Sequence, residues 1–421
     1  MSSTHKKINS NPWIIWGIAN IFYLYEVMLR VSPGVMTNDL MLHYNITSGM
    51  LGIMISFFYY SYTLLQLPCG LILDKLGART LIGSSVILST TGSVLFALTS
   101  NVIVAQIGRC MVGAGAACAF ISCLQIASIV FPPKHFAIFA GITNMMGTAG
   151  ALCGGFPIAR SVNFIGWRET IFILAAIGML IAIAAFVFIP KVIKIPENES
   201  VHNSFMSIFR KVIVNKQIIL SGIVGGFMYL AVSAFSELWA IPFFMTKYNI
   251  DNETASLAPS MLFIGFAIGS IPIAIIAKKL NGYMKTIRIA IVSMGLLFIP
   301  LIYVDNMKIS FLIVFLLGIL TAAEVLVFTC ARNNELPQNA GTAIAFSNGL
   351  VMLAGSIFQP VLGTMLDFFW TGGISAQGIR IYDISCYQKA MLALPICLVV
   401  AYLLSLFVKE TINLETAETT E

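Results

Sequence analysis

Twelve apolar runs, each long enough to cross a bilayer and divided by short polar breaks, leave this chain few ways to fold. Their approximate limits are 12–36, 47–72, 80–98, 102–130, 134–160, 167–190, 216–246, 253–278, 284–304, 308–332, 338–368 and 385–408. A spanning helix needs about 20 mainly apolar residues. In lipid, helices are the only open-ended way to satisfy every backbone polar group. The expected fold class is therefore an all-α membrane protein with twelve transmembrane helices. Composition agrees. The chain is 58% hydrophobic and 10% charged, whereas soluble proteins carry about 25% charged residues.

The basic residues in the loops are unevenly placed. With the N-terminus in the cytoplasm, sixteen Lys and Arg fall on the inner side, among them Lys6, Lys7, Lys75, Arg79, Lys278, Lys279 and Lys409, and six fall outside. The excess of inner Lys and Arg sets both termini in the cytoplasm. The expected location is the cell membrane, with a bacterial inner membrane as first choice. The polar start, Met1 to Asn11, runs into a full-length span with no small-residue cleavage site, so no cleaved signal peptide is expected. Scattered basic residues argue against nucleic acid as a partner. No CxxC pair occurs among the eight cysteines, and the four histidines lie in tails, loops or span ends. The cysteines are expected to pack as small apolar residues, with no metal and no other cofactor. Neither GxSxG nor HExxH is present, which argues against an intramembrane enzyme.

The longest polar break, 191–216, contains PKVIKIPENES and a basic cluster. It divides the chain into an N-terminal six-helix bundle (1–190), a cytoplasmic linker (191–215) and a C-terminal six-helix bundle with a short cytoplasmic tail (216–421). SFMSIFRKVI within the linker fits a short amphipathic helix on the membrane surface. The halves look like a repeat at an offset of 204 residues. Pro68 falls on Pro272, Asp74-Lys75-Leu76 on Lys278-Lys279-Leu280, and Asn144 on Asn348. Parallel repeats around a central site are a transporter architecture.

Five ionisable residues interrupt the spans: Glu26, Arg30, Arg109, Glu237 and Glu324. A charge at mid-bilayer costs about 2.5–3.5 kcal/mol on insertion scales, so five unpaired charges would cost roughly 12–17 kcal/mol by simple addition. They must pair or face water, and either arrangement points to a polar path. In the first segment Asn20, Tyr23, Glu26 and Arg30 share one face, with Glu26 and Arg30 spaced i, i+4. By depth, Glu26 answers Arg109 and leaves Arg30 for a substrate carboxylate; a purely structural ion pair is the competing reading. Glu237 either faces the path or is solvated near the outer end of its span. Glu324 lies deeper without a cation in its own helix, which suits proton binding. Tyr59 or Tyr60 is expected in the cavity, with Ser56 and Thr63 in contacts between helices. Asn144 and Asn348 are candidate binding amides, although amides also join membrane helices.

Two motifs carry a resemblance. GLILDKLGAR, Gly70 to Arg79, is similar to the loop signature of the major facilitator superfamily. GRCMVGAGAA, Gly108 to Ala117, resembles that family's arginine followed by small residues. The resemblance implies two pseudo-symmetric six-helix bundles, a role for Arg109 in proton coupling or substrate binding, and a conformational latch at Gly70, Asp74, Lys75, Gly77 and Arg79. The glycine run Gly141, Gly147, Gly150, Gly154 and Gly155 lacks the Gly-Pro pair of the family's drug–proton antiporters, since Pro157 comes two residues later.

The function expected is secondary active transport of a small polar solute (an organic anion, amino acid or short peptide) by alternating access with proton symport. Arg30, Arg109, Tyr23, Tyr59, Asn144 and Asn348 are the candidate substrate contacts. Glu26, Glu237 and Glu324 are the candidate proton-coupling groups. The partners expected are the solute, a proton and the bilayer, with the protein a monomer. A proton-coupled antiporter or exporter is one alternative, and a non-transporting nutrient receptor of the same fold is another.

Overall fold

Polar caps set where the apolar helices begin. Asn11 accepts the Trp13 amide proton at 3.0 Å, Asn101 that of Ile103 at 2.9 Å, Asn215 that of Gln217 at 3.0 Å and Asn306 that of Lys308 at 3.0 Å. Each satisfies a backbone donor that the first helical turn leaves free. In this computed structural model residues 11–132, 135–190, 210–336 and 339–409 are described, with all their side chains except those of Leu67, residues 70–75 and Ala137.

The capped segments form α1 (Pro12–Tyr44), α2 (Ser48–Leu76), α3 (Ala78–Leu98), α4 (Val102–Val130), α5 (Phe136–Gly154, continued by Phe156–Ile165) and α6 (Trp167–Phe188) in the first half. The second half contains α7 (Lys216–Tyr248), α8 (Asn252–Lys279), α9 (Tyr283–Tyr303), α10 (Met307–Asn333), α11 (Ala340–Phe368) and α12 (Ile384–Ser405). Among the described residues eleven helical units are long and apolar enough to cross a membrane. The broken α5, packed on α1, fills the twelfth position. The expected surface helix lies outside the described residues as far as 209.

The helices sort into two six-helix bundles. In the first, α1 packs on α4, α5 and α6, and α3 on α4 and α6. In the second, α7 packs on α11 and α12, and α8 on α10. The caps repeat as well. Asn11 and Asn215 start α1 and α7, while Asn45 and Asn249 end them in left-handed conformation with φ of 49° and 50°. Both pairs keep the offset of 204 seen in the sequence.

The bundles meet along α2 and α11, between α5 and α8, and between α1 and α7. Contact is closest at the face where α1 ends and α2 begins. There a Cβ on Gly34 would lie 2.3 Å from the Glu237 carbonyl oxygen, so only glycine allows α1 and α7 this approach. Toward the other face, where α6 ends and α7 begins, the bundles separate around a cavity.

The cysteine expectation needs one correction. Cys69 of α2 and Cys118 of α4 are joined by a disulfide, with Cα atoms 5.4 Å apart. Their separation of 49 residues carries no spacing signature. Packing of α2 on α4 is what brings them together.

Candidate functional site

Two of the five ionisable residues sit at departures from regular α-helix. Glu237 lies in a π-helical stretch at Ala231–Trp239 and Glu324 in a 3-10 turn at Ala322–Val325, while Arg30 lies in the last turn of regular helix before a 3-10 turn at Ser32–Met36. Such departures re-aim side chains and free backbone carbonyls, and in membranes they persist where protein or a cavity satisfies those groups. In the π stretch the Ser233 carbonyl accepts from Gln359 Nε2 at 2.7 Å, and Trp239 Nε1 donates to the Gln359 carbonyl at 3.0 Å. α11 thereby braces the segment that carries Glu237.

Arg30 and Glu237 form an ion pair between the bundles, with Nε 3.2 Å from Oε1. Tyr59 of α2 donates its hydroxyl to Glu237 Oε2. This differs from the expected pairing, in which Glu26 held Arg109 and Arg30 was free. Arg109 instead donates from Nη1 to the Leu29 carbonyl at 3.2 Å and lies over the Phe58 ring, 5.3 Å from its centroid. Glu26 is buried near Arg109 and Ser89 but closes no ion pair within 4.0 Å. The reason is the close approach of α1 and α7, which puts a carboxylate from the other bundle beside Arg30. The solvated reading of Glu237 fails for the same reason, since only 1% of its side chain is exposed.

A cavity of about 730 Å³ lies between the bundles. Five of the candidate residues line it: Tyr23, Arg30, Asn144, Asn348 and Glu324. The two asparagines, related by the sequence offset, face the same space from α5 and α11. Glu324 is buried, forms no ion pair among the described residues, and has one carboxylate oxygen, Oε1, without a hydrogen-bond partner. Tyr59, Glu26, Glu237 and Arg109 are not among the lining residues. They form the buried layer beyond the cavity. Tyr60 also lies outside it and donates to the Ser356 carbonyl at 3.2 Å. Sequence reasoning missed Tyr62 of α2 and the aromatic residues Phe263, Phe266 and Phe328. The available signal was spacing, because Phe263 and Phe266 are i, i+3 and Glu324 and Phe328 are i, i+4 on one helix face.

The cavity reaches Ser128, Phe136 and Gly341, near helix ends on the linker face. At the opposite face the bundles are tied together. Asp367 Oδ2, near the end of α11, accepts the Gly49 amide proton at the start of α2 at 2.9 Å. The Tyr382 hydroxyl donates to Asp367 Oδ1 and accepts from the Ser48 amide at 3.2 Å. Burial and the Asp367 carboxylate push that hydroxyl up to about 12. Asn252 Nδ2 donates to the Val35 carbonyl at 2.6 Å. On the linker face Gly77 adopts φ of 75°, as the expected tight turn requires. The side chains of Asp74 and Lys75 and the surroundings of Gly70 lie outside the described set, and Arg79 is half-buried.

The family model for the Major Facilitator Superfamily matches residues 16–375. The chain belongs to this superfamily of transporters and is a multi-pass membrane protein. It is 21% identical over 396 residues to an uncharacterized transporter, YybO, of Bacillus subtilis, covering 86% of this chain and 88% of that one. A probable L-galactonate transporter of Escherichia coli is 21% identical over 298 residues, covering 67% of this chain and 63% of that one. Among solved structures, a bacterial homologue of the human lysosomal transporter Spinster, inward-facing and unoccupied, superposes with a TM-score of 0.79. Its sequence identity is 17%, and the match covers 95% of this chain and 98% of that one.

Proposed function

We propose that the protein is a secondary active transporter that moves a small polar solute, an organic anion, amino acid or short peptide, by alternating access with proton symport. The observation that carries this reading is the cavity between the bundles. It holds a cation, Arg30, and an acid without an ion pair, Glu324, while the opposite face is tied shut. Arg30 takes the solute's anionic group. Glu324 takes up the coupled proton, because a buried carboxylate without a paired cation is best accommodated neutral. Asn144, Asn348 and Tyr23 supply hydrogen bonds. The Arg30–Glu237–Tyr59 tie passes the state of the cavity to the contact of α1 with α7. Arg109 and Glu26 form a second charged layer behind α1.

The excess of basic loop residues places the linker face and both termini in the cytoplasm, so this conformation is open inward. That the superposed Spinster homologue is itself inward-facing accords with this reading. The name of the L-galactonate relative accords with an anionic solute.

The test is uptake into proteoliposomes with an imposed pH gradient. Acid outside is expected to drive accumulation of a labelled organic acid or dipeptide. Uptake indifferent to the gradient would overturn symport. Antiport would instead require acid outside to drive efflux.

A further inference from the structure

The two walls of the central cavity differ in chemistry. Most polar side chains come from α1, α2, α4 and α5, namely Tyr23, Arg30, Tyr62, Gln66, Gln125 and Asn144, which share that wall with Phe120, Leu124 and Phe136. The wall from α7 to α11 is apolar apart from Tyr229, Glu324 and Asn348. It presents Phe263, Phe266 and Phe328 together with Val325, Ile344 and Met352.

This division constrains what the cavity can hold. A solute that is polar all round would press its hydroxyls against phenyl rings, losing water without gaining hydrogen bonds. A solute that is apolar all round would cover the further donors of the Arg30 guanidinium, which Glu237 engages through Nε, and the polar side chains beside it without offering them a partner. Only a molecule with one polar end and one apolar end matches both walls. The volume, about 730 Å³, lies within the usual range of organic-ligand pockets and exceeds the needs of a three-carbon acid. Arg30 is held through Nε by Glu237, and a guanidinium has further donors for a carboxylate.

We propose that the cavity takes an amphipathic organic acid. Its carboxylate lies at Arg30 beside Tyr62 and Gln66, and its aromatic or aliphatic body lies against Phe263, Phe266 and Phe328. The proposal rests on the carrier reading of this cavity and narrows its solute.

The test compares lactate with 3-phenyllactate, which share a 2-hydroxycarboxylate head and differ by one phenyl group. Binding to the full-length protein in detergent, measured by calorimetry, involves no proton gradient. The phenyl compound is expected to bind at least about tenfold more tightly, as burial of a phenyl group implies. Phe266→Ala and Phe328→Ala are each expected to reduce that ratio while lactate binding is retained, which also reports that the fold survives. Equal affinities for the two acids, a ratio unchanged in both variants, or no binding of 3-phenyllactate would each overturn the inference. Loss of acid-driven uptake with the affinity ratio intact would count against symport alone and leave this inference standing.

Discussion

Arg30 on α1 and Glu237 on α7 are paired across the two bundles, with Nε 3.2 Å from Oε1 and little exposure of either side chain. Removing one member of a buried pair strands the other charge, which costs roughly 3–5 kcal/mol. Arg30→Gln and Glu237→Gln should each lower the melting temperature of the purified protein markedly. The double variant should lose less than the sum, because neither charge is then left alone. Simple additivity would mean that the pair is not coupled in solution.

Asp367 caps the start of α2 through the Gly49 amide and so bridges α11 to the other bundle. A hydrogen bond to a charged group contributes about 1.5–3 kcal/mol. Asp367→Asn should therefore speed amide hydrogen exchange at Ser48–Gly52 by about tenfold or more, as local opening becomes easier. Unchanged exchange would show that Tyr382 and the α1–α7 contact keep this face closed without the carboxylate.

Asp383 starts α12. Its carboxyl is held below the usual carboxylate range by hydrogen bonds from the Ser385 hydroxyl, the Thr371 hydroxyl and the Cys386 amide. A lowered folded-state value means that the stabilisation is fully present above the ordinary aspartate value near 3.9 and is lost as pH falls through the folded value. Asp383→Ala should cost on the order of 1 kcal/mol. That cost should be constant from pH 8 to pH 5 and should shrink only in strong acid. A cost that disappears by pH 5 would contradict the assignment. Thermal melts across pH provide the comparison.

Glu324 is buried against the cavity and forms no ion pair among the described residues. If it carries the coupled proton, Glu324→Gln should abolish uptake driven by an imposed pH gradient while exchange of solute across a membrane at equal pH persists. Loss of both activities would place Glu324 in solute binding instead. Retention of gradient-driven uptake would move the proton to Glu26 or Glu237.

Much of the architecture was legible because bilayer thickness and backbone satisfaction leave little choice for long apolar runs. The ionisable set was legible for the same reason, since each such residue stands out in a span. The pairing was not. Arg30 and Glu237 are 207 positions apart, and the side chain of Glu237 is aimed by a π-helical stretch that no local pattern announces. Glu26 looked like the natural partner of Arg109 on depth alone. Depth along a helix does not give the rotation of one helix against the next. The aromatic wall was missed because spacing puts Phe263 with Phe266, and Phe328 with Glu324, on one helix face but does not say whether that face meets the cavity or lipid. Asn144 and Asn348 were found through the repeat, and the repeated caps at Asn11, Asn45, Asn215 and Asn249 carried the same signal unused.

The central claim is that the charged cavity between the bundles is a proton-coupled transport path. Its most direct test is accumulation of labelled organic acids and dipeptides in proteoliposomes, with the wild-type protein and Glu324→Gln compared with and without an imposed gradient, acid outside. The account predicts accumulation of at least one solute above its external concentration by the wild type, only with the gradient, and none by the variant. Equal uptake by both proteins, or wild-type uptake that ignores the gradient, would contradict it.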